Sequence, residues 1–414
     1  MITGTTPCGV RYAVRRSGSA VGYCALSIRT GTRDEAGFPA GIAHFTEHTL
    51  FKGTRRKRAS TINGYLEKLG GELNAYTTKE EIVLHATVLK EDLRKAGSLL
   101  FELATQATFP DAEVETERGV VIDEIKSYKD SPSEEAFERF ETQIFKGHPL
   151  APPILGTAAS VGRIRPEDLR RFVAERFRPD LMVFTVVADI DEKRLEKEAL
   201  KLISAYFAEA PDREPLTGIA PPAVALPPYT PFDIRSGRKS HHEVNAVIGG
   251  FAPSLYEERE RLAAVLLANI LGGPASNSIL GSILRERNGW VYGVEAAYMQ
   301  YADAGLMAVC LGCDKTNLDR CLETVRREFT KLQAVPLSES KLKAAKKQML
   351  GQLAISSDNG EAQCLSMGKS LLAYGRIYSD GEVREQVGAI TAGDLRLLAC
   401  RIFYPANLST LVIL

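Results

Sequence analysis

Two kinds of apolar pattern alternate along the chain. Residues 22–29 and 81–88 carry apolar and β-branched side chains at alternating positions, a period that predicts strands. Residues 90–107 and 111–129 instead repeat apolar positions every three to four residues, which predicts helices. The second half runs in the same order, with a strand over 244–251 and a helix over 254–271 stopped by Gly272 and Gly273. A strand over 305–311 and a helix over 317–332 follow. Between Ala210 and Asp233, prolines recur at 211, 215, 221, 222, 227, 228 and 231. Proline lacks an amide donor and fixes φ, so this stretch reads as an extended linker, neither helix nor central strand. The predicted organisation is an N-terminal domain over 1–209, a linker over 210–233 and a C-terminal domain over 234–414.

The halves overlay in element order and apolar pattern. Segment 41–48 falls where the second half has 273–280, and strand 84–89 with its helix parallels 307–312 with its own. The expected fold class is α+β: two similar α/β-layer domains, each a mixed sheet with helices packed on it, related by internal duplication.

Composition narrows the function classes. The 414 residues hold 52 basic and 52 acidic side chains, so the net charge is zero. Non-specific nucleic-acid binding draws on a basic excess, and no nucleic-acid partner is expected. No apolar run approaches the ~18 residues of a membrane span, so no membrane contact is expected either. Seven scattered cysteines do not form a disulfide framework, and the opening residues lack a secretory pattern. The expected compartment is the cytoplasm, with the periplasm open to a trimmed chain.

The densest local chemistry is His44-Phe-Thr-Glu-His48. Pro39 suits a first helical turn and Gly53 a C-terminal stop, so a helix of about three turns is expected between them. On that helix His44 and His48 are i, i+4 neighbours, and Glu47 lies three residues from His44 on the same side. Two imidazoles on one face supply half of a tetrahedral zinc site, and a catalytic zinc needs three protein ligands plus water. A carboxylate just before the second His can reach that water without being a ligand. The order H-x-x-E-H is the inverted zincin motif.

A third ligand is sought in 111–128, where a 3-4-3-4 spacing runs Val114, Glu117, Val121, Glu124, Tyr128. Two glutamates thus fall on an otherwise apolar helix face, and a buried carboxylate needs a cation or strong donors. Glu113 shares part of that face, and ordinary ion pairs with Arg or Lys are the alternative. With the His pair upstream, the expectation is Glu124 as third ligand, with Glu117 behind it orienting a ligand or helping with protons.

Segment 41–54 resembles the active-site helix of the pitrilysin and insulinase family of zinc metallopeptidases, which includes mitochondrial processing peptidase. The chain as a whole is similar to the bacterial homologues of that peptidase. The family pattern implies a third ligand 76 positions after the second His, here Glu124, and a supporting glutamate seven residues earlier, here Glu117. Segment 70–77 resembles the run into the family's substrate-pairing edge strand, which implies Asn74, Ala75, Tyr76 and Thr77 as substrate-binding residues. Segment 284–293 resembles the family's Arg and Tyr pair, implying that Arg285 and Tyr292 are catalytic groups from the opposing half; Arg287 competes for the first role. Residues 276–280, opposite the His pentad, hold no metal ligand, so one zinc per chain is expected. Thr46 and Thr49 stand where the family has larger apolar residues, which concerns packing.

The resemblance implies a zinc endopeptidase acting on peptides or short unfolded segments, with Glu47 activating the zinc-bound water. It also implies a homodimer with composite active sites. The alternative is a non-catalytic or partner-dependent subunit of a heteromeric peptidase or scaffold assembly. Other features are weaker. Cys310 and Cys313 have CxxC spacing but no second pair, His85 reads as a core histidine, and His148 with His241 and His242 as surface positions. The basic run 55–58 is a solvated loop or a contact for acidic peptide segments.

Overall fold

The computed structural model describes residues 1–207, 223–237 and 243–414. His241, His242 and the linker residues 210–222 lie outside the described residues. The first half contributes strands β1 (Ile2–Thr5), β2 (Arg11–Arg16), β3 (Val21–Ile28), β4 (Glu72–Thr77), β5 (Ile82–Leu89) and β6 (Met182–Ala188). Its helices are α1 (Ile42–Leu50), α2 (Ala59–Glu67), α3 (Leu93–Gln106) and α4 (Asp111–Asp130). They continue with α5 (Pro132–Ile144), α6 (Ala158–Val161), α7 (Pro166–Arg176) and α8 (Glu192–Tyr206). The second half contributes β7 (Asp233–Ser236), β8 (Glu243–Ala252), β9 (Val291–Gln300), β10 (Gly305–Asp314) and β11 (Ser409–Ile413). Its helices are α9 (Glu258–Gly272), α10 (Leu318–Ala334), α11 (Glu339–Ser357), α12 (Gly360–Tyr374), α13 (Asp380–Ala389) and α14 (Ala392–Ile402). A π-helical turn covers Gly281–Arg287.

The first sheet runs β1-β2-β6-β3-β5-β4 and the second β7-β11-β8-β10-β9. In the first, β6 is parallel to β2, and in the second β11 is parallel to β7; every other pairing is antiparallel. Matched in chain order, β2 to β6 and β7 to β11 therefore have the same neighbours and the same directions. The duplication expected from the apolar order is present in the hydrogen-bonded topology, with β1 added to the first sheet.

Each sheet is covered on both faces, which the strand period explains. On β3, Cys24, Leu26 and Ile28 point into a core with Leu99 and Leu103 of α3 and Leu195 of α8. The intervening Ala25 points into a second cluster with Cys364, Met367 and Leu371 of α12. On β8, Val244, Ala246 and Ile248 meet Leu267 of α9 and Val325 of α10. Val247, between them, meets Phe140 and Ile144 of α5.

The two compact units depart from a division at the proline-rich segment. One comprises Met1–Ile125, Pro152–Pro221 and Ile355–Ile377, the other Lys126–Ala151, Pro222–Ala354 and Tyr378–Leu414. Each half of the chain thus gives one helix to the other half's sheet, α5 to the second and α12 to the first. An apolar helix face records only that it must be buried, not which sheet will cover it. His148 is also buried, contrary to the surface position expected of it. Its Nε2 lies 3.3 Å from the Val224 carbonyl oxygen and 3.7 Å from Asp303. No helix among the described residues is long and apolar enough to cross a membrane.

The entry to α1 is built closely. Gly41 has φ of 89°, and a Cβ there would come within 2.7 Å of the Leu155 carbonyl oxygen. At the first turn, the buried Glu35 carboxylate accepts from the Gly41 and Ala43 amides, each at 2.9 Å. It satisfies two amides that a helix N-terminus leaves without partners. Burial pushes this carboxyl up to about 8, against the pull of the two amides and of Lys79. An unfolded Glu titrates near ~4.3, so the stability carried by Glu35 is complete below that pH and is lost as pH rises through about 8. Urea unfolding should therefore show wild type losing stability relative to Glu35→Gln as pH rises across that window. A difference independent of pH would contradict this.

Candidate metal centre

Three elements carry the chemistry. α1 presents His44, Glu47 and His48 from one face, because residues three and four apart share a side of a helix. α4 presents Glu117 and Glu124, also on one face. β4 brings Thr77 to the end of the sheet edge.

The imidazoles of His44 and His48 lie with ring centroids 4.6 Å apart. Glu124 Oε2 sits 3.7 Å from His44 Nε2 and 3.5 Å from His48 Nε2. That oxygen is buried and has no hydrogen-bond partner among the described residues. Metal–donor bonds near 2.0–2.2 Å set tetrahedral edges of about 3.3–3.6 Å, close to these separations. Among the described residues, His44, His48 and Glu124 are the group that can hold a metal ion, their donor atoms all within 4.8 Å of one another. The donor set fits: two imidazole nitrogens and one carboxylate oxygen converge on one point.

The surroundings orient these donors. His48 Nδ1 meets Glu117 Oε1 at 2.9 Å, leaving Nε2 to face Glu124. Glu117 in turn receives Lys52 Nζ at 2.6 Å. Burial opposes the charge on Glu117, but the bonds from His48 and Lys52 outweigh it and hold its carboxyl below the usual range. Burial, with His48 beside it, pushes His44 down to about 3, so its ring is neutral and its lone pair free near pH 7. For His48, burial likewise opposes protonation, yet the Glu117 bond and the neighbouring Glu47 and Glu124 carboxylates raise it. A metal ion and a proton would compete for its Nε2.

Glu47 is not among the converging donors. Its Oε2 accepts from the Thr77 hydroxyl at 2.8 Å. Burial raises its carboxyl, opposed by the Thr77 bond and by His48, with Glu124 adding to the rise. A buried carboxylate with raised proton affinity beside a metal site is suited to accepting and returning a proton. β4 pairs only with β5, in the register Asn74↔His85 to Thr77↔Ile82, so its other edge has no strand partner among the described residues. Asn74, Ala75, Tyr76 and Thr77 all lie on this edge strand.

The structure thus gathers His44, Glu47, His48, Glu117, Glu124 and Thr77, while Arg285 and Tyr292 belong to the second unit. Tyr292, on β9, is 62% exposed and donates to Asp314 at 2.9 Å, a bond that raises its phenol. Arg285 is bonded to Glu286 and lines a cavity of about 490 Å³; Arg287 is not part of that lining. Glu113 is half-buried and outside the donor group. The buried stripe of α4 runs Val114, Glu117, Val121 and Ile125, and Tyr128 is exposed because the helix leaves the first unit after Ile125. Thr49 donates to the Phe45 carbonyl at 2.7 Å, so the hydroxyl that replaces an apolar side chain is satisfied within α1. Three contributors carried no sequence signal of their own: Lys52, the Glu35 cap, and Arg118. The Arg118 guanidinium bonds the Val161 and Ile164 carbonyls and lies over the Phe45 ring, pinning α4 beside α1.

The fold and this donor set define a metallopeptidase-like chain, and comparison with known proteins gives the family. The profile described as Insulinase (Peptidase family M16) matches residues 11–158, and the Peptidase M16 inactive domain matches 163–349. The chain belongs to peptidase family M16, the insulinase and pitrilysin family. Among its relatives is the uncharacterized zinc protease YmxG of Bacillus subtilis, 29% identical over 91% of this chain and 89% of that protein. An uncharacterized zinc protease of Rickettsia bellii is 26% identical over 94% of this chain and 91% of its own. The crystal structure of a protease from Helicobacter pylori superposes with a TM-score of 0.91, 18% identity and coverage of 100% and 99% of the two chains. A chain of Complex III2 from Candida albicans, bound to Inz-5, reaches a TM-score of 0.83 at 19% identity, covering 100% of this chain and 95% of its own. At these identities the two structures share the fold alone.

If Glu117 sets the orientation of His48, Glu117→Gln should weaken zinc binding about 10- to 100-fold, read by competition with a calibrated chelator. Lys52→Met should act in the same direction but less. Unchanged affinity in Glu117→Gln would remove that role.

Proposed function

We propose that this chain is a zinc-dependent endopeptidase that cleaves peptides or short unfolded segments. The observation that carries the reading is the convergence of His44, His48 and Glu124 on one point, with the unliganded Glu47 beside them. The names of the relatives as zinc proteases support zinc as the metal. His44, His48 and Glu124 would hold one zinc per chain, and zinc there supplies Lewis acidity toward a water molecule and a peptide carbonyl. Glu47 takes a proton from the attacking water and returns it to the leaving amine. Glu117 holds His48 in the tautomer that keeps Nε2 available. The substrate lies as an added strand along β4 at Asn74–Thr77, where backbone hydrogen bonds give affinity with loose side-chain selectivity.

The non-catalytic reading draws support from the fold shared with a chain of Complex III2. A scaffold, however, has no need of a complete donor set with a base beside it. Arg285 and Tyr292 are exposed, as expected of groups whose partner is another molecule, and we assign them to the active site of a second copy of the chain. There the phenol donates to the developing oxyanion and the guanidinium holds a substrate carbonyl.

Glu47→Gln should keep its zinc and lose peptide hydrolysis by about a hundredfold or more, the usual weight of a general base. Near-normal turnover would sink the assignment. Mixing Glu47→Gln with Tyr292→Phe after subunit exchange should restore roughly a quarter of wild-type activity, because half the dimers are mixed and each has one intact site. No recovery despite proven exchange would overturn the composite site while leaving the zinc chemistry standing.

A further inference from the structure

The basic run 55–58 has no part in the chemistry above, yet one of its residues lines a cavity. The turn after α1, the face of α3 and the end of α8 enclose about 220 Å³. Its polar lining is Arg56, Arg94, Ser98, Gln106, Lys201 and Tyr206, closed by Leu202 and Ala205 of α8. No carboxylate contributes to it. Three cations around one small cavity repel one another, in a chain whose charges otherwise balance at 52 and 52. Lys201 is offset by Glu198 at 3.3 Å, at the exposed rim. The Arg56 and Arg94 guanidiniums have no ion-pair or hydrogen-bond partner among the described residues.

The walls come from fixed elements. Arg94 and Ser98 are i, i+4 on α3, as are Leu202 and Tyr206 on α8. Tyr206 bonds both the hydroxyl and the carbonyl of Ser98, each at 2.9 Å, which ties the two helices. Arg56 projects from a turn held by Thr54, whose hydroxyl receives the Arg56 and Lys57 amides at 3.2 and 2.9 Å and donates to Glu102 at 2.6 Å. The Arg55 amide bonds the Gln106 carbonyl at 3.0 Å, so the turn is fastened to α3. The backbone on both sides is therefore anchored, the Ser98 and Tyr206 hydroxyls bond each other, and the exposed Arg56 and Arg94 guanidiniums are the cationic donors left without an acceptor among the described residues.

Two unpaired guanidiniums beside the Gln106 amide, with the Lys201 ammonium adding charge, match the acceptor-rich oxygens of a phosphate group, which arginine forks engage two at a time. The size is below the ~300 Å³ floor of drug-sized pockets, which favours a compact anion over a large organic ligand. We infer that this cavity binds a polyvalent oxyanion of the phosphate class, either a free anion or the phosphate tail of a nucleotide. The inference is independent of the peptidase reading.

Calorimetric titration of the holoprotein with inorganic diphosphate, at constant ionic strength, tests it. Saturable binding of one diphosphate per chain is expected, weakened at least about tenfold in Arg56→Gln/Arg94→Gln. Arg384→Gln, an exposed arginine on α13, should bind as wild type does. Diphosphate also chelates zinc, but the variants keep the same metal centre, so the difference between them and wild type isolates the cavity. Should the double variant not fold, Lys201→Gln gives the same comparison with a smaller loss. ADP binding at least as tightly as diphosphate identifies a nucleotide tail as the source; diphosphate without ADP identifies a free anion. No saturable diphosphate binding, equal affinity in the arginine variants, or binding of a hexaglutamate peptide in place of diphosphate would overturn the inference.

Discussion

Where α1 meets α4, two imidazoles and two carboxylates are taken largely out of water, and their mutual compensation constrains what surrounds them. A buried carboxylate is costly unless a cation or donors attend it. Glu117 meets that requirement through His48 and Lys52. Glu124 Oε2 does not, since it faces two imidazole nitrogens and has no hydrogen-bond partner among the described residues. A cation among these three groups removes the imbalance, and the rest of the first unit can be read as holding them to that geometry. Glu35 and the Gly41 contact fix where α1 begins, and Arg118 fixes where α4 lies beside it.

The sequence made the α1 chemistry legible because both relevant periods are short. His44, Glu47 and His48 need only one helical turn to share a face, and the 3-4 spacing of Glu117 and Glu124 needs two. The stripe failed at Tyr128 because periodicity does not register where a helix leaves its domain. The same limit hid the exchange of α5 and α12, whose apolar faces look alike whichever sheet receives them. Lys52 and Thr77 were within segments singled out for other reasons, but their partners, Glu117 and Glu47, lie 65 and 30 residues away in sequence. His148 departs from its expected surface position because the Val224 carbonyl and Asp303, which face it, lie 76 and 155 residues away in sequence.

The duplicated topology separates scaffold from chemistry. The five matched strands of the two sheets have the same order and directions, but the first half carries the donor set and the second, at the matching position, has Ser276 to Leu280. The profile matched over residues 163–349, which takes in Ser276 to Leu280, is described as an inactive domain. A fold found both in a bacterial protease and in a chain of Complex III2 says little about activity by itself. In this chain the chemistry is concentrated in a handful of side chains on α1, α4 and β4.

Peptidase chemistry here requires that the convergence point of His44, His48 and Glu124 be a metal centre. Diffraction from crystals of the purified protein, grown without added metal and recorded on both sides of the zinc absorption edge, addresses it directly. The account predicts one anomalous peak per chain, bonded at about 2.0–2.2 Å to the Nε2 atoms of both histidines and to the Glu124 carboxylate. A peptide-hydrolysing protein with no peak there, or with a peak that excludes Glu124, would contradict it.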